Sequence, residues 1–213
     1  MIELSFWDIP AVVCLVSMLA MLFCEFKIYE RGIATFKVIA STAFVVAGYF
    51  QGADETFYGT CILAALILSW WGDVFLLSKS EPIFKLGILA FLLGHVAYVV
   101  AFAQSAFSWT GAAGGLGVVG LIALLVGRWL IPKLDAGMKS AVIAYITVIS
   151  IMVVFASALS VATMHFQVLL GAAMFFVSDL AVAKHRFVSP SFANKVWGLP
   201  LYYGAQIIFV YTI

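Results

Sequence analysis

Three ionisable side chains interrupt stretches that are otherwise apolar: Lys37, Asp73 and Asp179. A charge in such a place is expensive and marks a functional site by default. Two carboxyls in a low-dielectric pocket can divide acid and base work, one holding a proton while the other stays charged. The bland alternative is architectural, a buried Lys and Asp cluster that fixes helix packing or a Lys37 that snorkels to the headgroups. Two acids against one Lys leave a carboxyl uncompensated, which favours chemistry over architecture.

A second tier of polar residues surrounds these three. His95 and Tyr98, in GHVAY, are about one turn apart and share a helix face; Tyr203 and Gln206 are three apart, Tyr202 and Gln206 four. His95 is a candidate catalytic residue, and Ser41, Tyr98, Tyr202, Tyr203 and Gln206, with Lys37, are candidates for substrate binding. Ser41 and Thr42 follow Lys37 by four and five residues, positions where a hydroxyl commonly bonds back to the preceding turn. A zinc hydrolase would need three or four converging His, Asp or Glu ligands. His165 is about 21 Å from Asp179 if both lie on one helix, and His185 is expected in a loop, so only His95 could join the acids. No metal or other cofactor is expected. Neither GxSxG nor HExxH occurs, which weakens serine-hydrolase and metalloprotease readings. Cys14, Cys24 and Cys61 lack CxxC spacing and read as packing residues.

The elements that must hold these residues are set by composition. Hydrophobic residues make up 65% of the 213 and charged ones 10%, against about 25% charged in a soluble domain. The chain is therefore read as an all-α polytopic integral membrane protein, one helical domain over 1–213, in the bacterial inner membrane. Eight apolar segments are long enough to cross as helices: 8 to 25, 33 to 51, 57 to 77, 84 to 105, 112 to 131, 140 to 160, 164 to 183 and 196 to 213. All Lys and Arg except Lys37 fall in alternate gaps, which places those gaps in the cytoplasm and both termini outside it. The basic residues form no single patch, so nucleic acid is not an expected partner, and no protein partner is expected. With Glu3 and Asp8 and no basic residue before Lys27, the first segment reads as a retained anchor. Trp7, Trp70, Trp71, Trp129 and Trp197 lie near helix ends, as interfacial aromatics do. WWGDVFLL and FVSDLAVA place their acids 106 residues apart, which raises a weak four-plus-four parallel repeat.

Depth follows from counting along each helix. Lys37 is six residues from Arg31, Asp73 six from Lys79 and Asp179 five from Lys184, so all three lie roughly 7 to 9 Å inside the cytoplasmic boundary. His95 is deeper by about 5 Å.

The segments FKVIAST, SWWGDVFLL, FKLGILAFLLGHVAYVVAF, FFVSDLAVA and LPLYYGAQ resemble, in order and spacing over nearly the whole chain, the YhhN family of membrane proteins, which includes the lysoplasmalogenases. The most specific pieces are GDVFLL followed by GxxxFLxGHxxY, and SD followed by YYGAQ. The resemblance implies an eight-helix hydrolase that cleaves the vinyl ether bond of a lysophospholipid substrate, giving a fatty aldehyde and glycerophosphocholine or glycerophosphoethanolamine. It implies site positions at Lys37, Ser41, Gly72, Asp73, His95, Tyr98, Asp179, Tyr202, Tyr203 and Gln206. The competing class is a proton-coupled secondary transporter of a small or lipid-like substrate. Against it, the outer helix halves hold few polar residues beyond Gln51, Gln104 and Gln167. A retinal-type photoreceptor built on Lys37 is disfavoured by the shallow position of that lysine.

Overall fold

The computed structural model describes residues 8–213, so the interfacial reading of Trp7 and the charge of Glu3 lie outside the described residues. Within them the chain is all helical: α1 (Ile9–Phe26), α2 (Glu30–Phe50), α3 (Phe57–Phe75), α4 (Glu81–Ala103), α5 (Trp109–Leu130), α6 (Ala136–Thr163), α7 (Gln167–Phe187) and α8 (Phe192–Val210). Seven of these eight are long and apolar enough to cross a membrane, α5 running on through a short 3-10 turn at Ile131–Lys133. The chain is a polytopic membrane protein. The helix outside that set is α8, which carries Asn194, Lys195, Gln206 and an internal proline, Pro200, in 19 residues.

The helices begin where polar caps or proline permit it. The side chains of Thr56, Ser108 and Asp135 accept the N–H of Gly59, Gly111 and Met138 at the starts of α3, α5 and α6, satisfying donors that the helix cannot. Pro10 and Pro82 stand in the first turns of α1 and α4, where a missing N–H costs nothing. Observed ends fall within four residues of the expected ones. Two expectations change. His165 lies in the α6–α7 connection and not on the helix of Asp179, and His185 lies in the last turn of α7 and not in a loop.

Consecutive helices pair as antiparallel hairpins, α1 with α2, α3 with α4, α5 with α6 and α7 with α8; α8 also packs on α1 and α2, and α4 on α6. Small residues allow the close approaches that membrane helices depend on. A Cβ added at Gly72 on α3 would lie 2.5 Å from the Phe91 ring of α4, and one at Gly198 on α8 would lie 2.6 Å from Ala181 of α7. The long apolar side chains of α5, among them Leu116, Val118, Leu121 and Leu124, are exposed, as a lipid-facing surface requires. Lys133 sits over the Trp129 ring at 4.7 Å. Trp70 has a more specific role than interfacial anchoring, since its Nε1–H donates to Thr42 Oγ1 at 3.0 Å and ties α3 to α2.

The two ends of the bundle differ. At one, Tyr211 donates to Asp8 at 2.6 Å and the Tyr58 and Thr212 hydroxyls bond at 2.9 Å, so the start of α1 meets the end of α8. At the other, Lys195 pairs with Glu25 at 2.6 Å and Lys79 with Glu30 at 2.7 Å.

Candidate active site in the basic half of the bundle

Asp73, on α3, is the centre of a network drawn from two other helices, α2 and α8. Lys37 Nζ donates to its Oδ1 at 2.9 Å, Ser41 Oγ to its Oδ2 at 2.5 Å and Tyr202 OH to the same oxygen at 2.8 Å. Lys37 and Ser41 are one turn apart on α2, so a single helix face delivers both donors to one carboxylate. Ser41 thus reaches across to α3 and not back along its own helix. The Tyr203 hydroxyl lies 3.3 Å from Ser41 Oγ and extends the network behind it. Asp73 is buried, and Lys37 is 15% exposed; the lysine bonds inward to the acid and does not snorkel.

Asp179 has different company. Tyr145 OH donates to its Oδ2 at 2.9 Å, and His95 Nε2 lies 3.7 Å from that oxygen, beyond direct hydrogen-bond range. The imidazole is held edge-on between the Tyr145 ring at 5.2 Å and the Phe175 ring at 4.6 Å, a preferred aromatic geometry. Tyr145 is absent from the sequence-derived site. The depth count would have found it, because it stands six residues beyond Lys139, the same distance that flagged Lys37 and Asp73.

A cavity of about 790 Å³ connects the two acids. Lys37, Asp73, Tyr145, Asp179 and Tyr202 line it together with Phe84, Ile88, Phe91, Ile146 and Phe176. At its rim stand Arg31, Lys79, Arg186 and Lys195, all from the basic end of the bundle. Tyr98, Tyr203 and Gln206 are expected from sequence to touch substrate, yet they are fully buried and absent from this lining. The Tyr98 hydroxyl donates to Gln206 Oε1 at 2.5 Å, joining α4 to α8 behind the wall, because an unpaired polar group in that core would be costly. A second cavity, of about 740 Å³, lies at the other end among Tyr49, Gln51, Asp54, Glu55 and Tyr211. It contains none of the three charges.

The two acids are served in parallel ways. Asp73 on α3 takes Lys37 from α2 and Tyr202 from α8; Asp179 on α7 takes Tyr145 from α6 and faces His95 from α4. Each residue of one set stands 106 to 108 positions from its counterpart in the other. The arrangement gives one carboxylate an ammonium and two hydroxyl donors, and the other a single phenol with an imidazole near by. Such unequal surroundings are how paired carboxyls acquire separate acid and base roles.

Residues 32–213 match the YhhN family. Over 155 residues the chain is 31% identical to the lysoplasmalogenase TMEM86A of Bos taurus, an alignment that covers 70% of this chain and 63% of the bovine protein. The chain therefore spans less than two thirds of that relative's length. No solved structure matches. With the family match running from the start of α2 through the last residue, and taking in every member of both acid clusters, the chain belongs to the YhhN family and is a distant homologue of lysoplasmalogenase TMEM86A.

Proposed function

We propose that the protein is a lysoplasmalogenase, an ether hydrolase that opens the vinyl ether of a lysoplasmalogen within the membrane. The observation that carries this reading is the pair of differently solvated carboxyls on one cavity, Asp73 with its ammonium and Asp179 with none. Asp179 begins protonated and gives its proton to the alkene carbon remote from the ether oxygen. An oxocarbenium ion forms, and the Asp73 carboxylate, which accepts hydrogen bonds from Lys37, Ser41 and Tyr202, stabilises it and takes a proton from the water that attacks. The hemiacetal then collapses: its hydroxyl proton returns to Asp179, the Asp73 proton passes to the departing glycerol oxygen, and both acids are restored. His95 and Tyr145 orient Asp179, while Tyr98, Tyr203 and Gln206 support the wall from behind. Purified protein incubated with synthetic lysoplasmalogen is expected to release fatty aldehyde and the glycerophospho base in equal amounts. No aldehyde above the rate without protein would overturn the proposal.

Tyr145 gives this mechanism a test independent of the acids. Tyr145→Phe keeps the ring against His95 but removes the one hydroxyl donor to Asp179. Turnover is expected to fall about tenfold with unchanged thermal stability, the scale of one hydrogen bond. Unchanged turnover would detach Asp179 from the chemistry.

The topology belongs to the same reading. We place α8 as an eighth crossing and both termini outside the cytoplasm, in one domain whose acid clusters repeat four helices apart. The contact between Asp8 and Tyr211 supports termini on a common side. Reporters fused after Lys133 and after Ile213 are expected on opposite sides of the membrane; finding them on the same side would refute the arrangement.

A further inference from the structure

Among the basic residues on the rim and floor of the large cavity, most already have a carboxylate: Lys37 has Asp73, Lys79 has Glu30 and Lys195 has Glu25. Arg31 and Arg186 form no such ion pair among the described residues, although both line the cavity. Arg186 is held in place another way, its guanidinium 4.2 Å from the centroid of the buried Phe84 ring, which orients a planar cation without using its hydrogen-bond donors. Guanidinium groups without a carboxylate partner, at the entrance of an otherwise paired site, suit a bidentate anion, a phosphate above all. Since Lys37 is engaged with Asp73, it is not the group that receives that phosphate.

The distances fit a lysolipid. Arg31 and Lys37 are six residues apart on α2, about 9 Å of helix, and Arg186 and Asp179 are seven apart on α7, about 10 Å. From the phosphorus of a glycerophospholipid to its first alkenyl carbon is a run of six bonds, about 7 Å when extended at ~1.2 Å per bond. Arginine side chains that turn inward from the rim supply the small remainder. A phosphate at the rim therefore leaves the vinyl ether at the level of the two acids. The hydrocarbon chain continues among Val126, Val142 and Ile149, which also line the cavity.

We infer that Arg31 and Arg186 form the phosphate subsite of the cavity and select a phosphate-bearing single-chain lipid over its headgroup-free analogue. The identity of the reaction rests on the proposed hydrolase reading, but binding can be measured without any turnover. The probes are a saturated alkyl lysophosphatidylethanolamine, which has no vinyl ether to cleave, the matching alkylglycerol, and inorganic phosphate. Wild-type protein in nanodiscs is expected to bind the lysophospholipid at least tenfold more tightly than the alkylglycerol. The Arg31→Gln/Arg186→Gln double variant is expected to lose that preference while its alkylglycerol affinity stays the same. Should the Gln pair insert poorly, Arg31→Lys/Arg186→Lys keeps the topogenic charge and removes the guanidinium fork, and an intermediate preference is expected. Equal binding of the two lipids by the wild type, or a full preference in either double variant, would overturn the inference. Displacement of the lipid by equimolar inorganic phosphate would also overturn it, by making the site one for the free anion. Arginine-dependent binding without aldehyde release from a lysoplasmalogen would uphold the subsite and refute the reaction.

Discussion

Asp179→Asn is expected to lower aldehyde release from a lysoplasmalogen by at least about 100-fold, the usual scale for a lost proton donor, and to leave the fold intact. The side chain keeps its shape and can still accept from Tyr145, which now donates to an amide oxygen. What disappears is the proton destined for carbon, and no neighbour replaces it, since His95 is 3.7 Å from the acid and held between two rings. His95→Gln is expected to cost less, because it orients the acid and does not deliver the proton. Aldehyde assays on folded protein decide the matter. Near wild-type release by Asp179→Asn sinks the assignment, and a loss confined to His95→Gln transfers the acid role to the imidazole.

The second large effect separates the chemistry of Asp73 from its place in the architecture. Lys37→Met removes the ammonium from a pair whose side chains are 15% and 3% exposed, leaving a buried carboxylate with only hydroxyl donors. Breaking a pair of this kind costs about 3 to 5 kcal/mol, so a clear fall in thermal stability and in yield is expected, along with activity. Lys37→Met/Asp73→Asn removes both charges at once. Its stability should recover most of the loss, whereas its activity should stay at least about 100-fold down, because the carboxylate assigned to activate water is gone. Thermal melts and aldehyde release on the same preparations provide the measurement. A double variant that regains activity with stability would make the pair purely structural.

The helices and the charged level were legible because both depend on distance along a chain. Apolar length fixes where a helix can cross, and counting from the nearest Lys or Arg gives depth, so Lys37, Asp73 and Asp179 could be set at one height before any packing was known. Rotation about each helix axis is another matter, because it is decided by neighbours. Tyr98 and Gln206 lie close to the expected site in sequence terms, yet α4 and α8 turn them toward each other behind the cavity wall. Tyr145 gives no such signal for a different reason: a tyrosine in an apolar run does not carry the insertion cost that marks a charge. Arg31 and Arg186 read only as markers of sidedness, since nothing in spacing tells which cations will find carboxylates. His185 was misplaced because its run of basic neighbours resembles a loop, whereas cations in a last helical turn are favoured by the helix dipole.

The order in which the chain is made gives the acid clusters a further meaning. Each of the two acids finds its first donor on the helix synthesised just before it: Lys37 on α2 precedes Asp73 on α3, and Tyr145 on α6 precedes Asp179 on α7. A nascent hairpin can therefore carry its carboxyl into the bilayer already partnered, without waiting for distant segments. Tyr202 follows the other donors to Asp73, on α8, the described helix that falls outside the set apolar enough to cross a membrane. Its bond to Asp73 ties that helix to α3, so the site helps to hold the helix that it needs for its own completion.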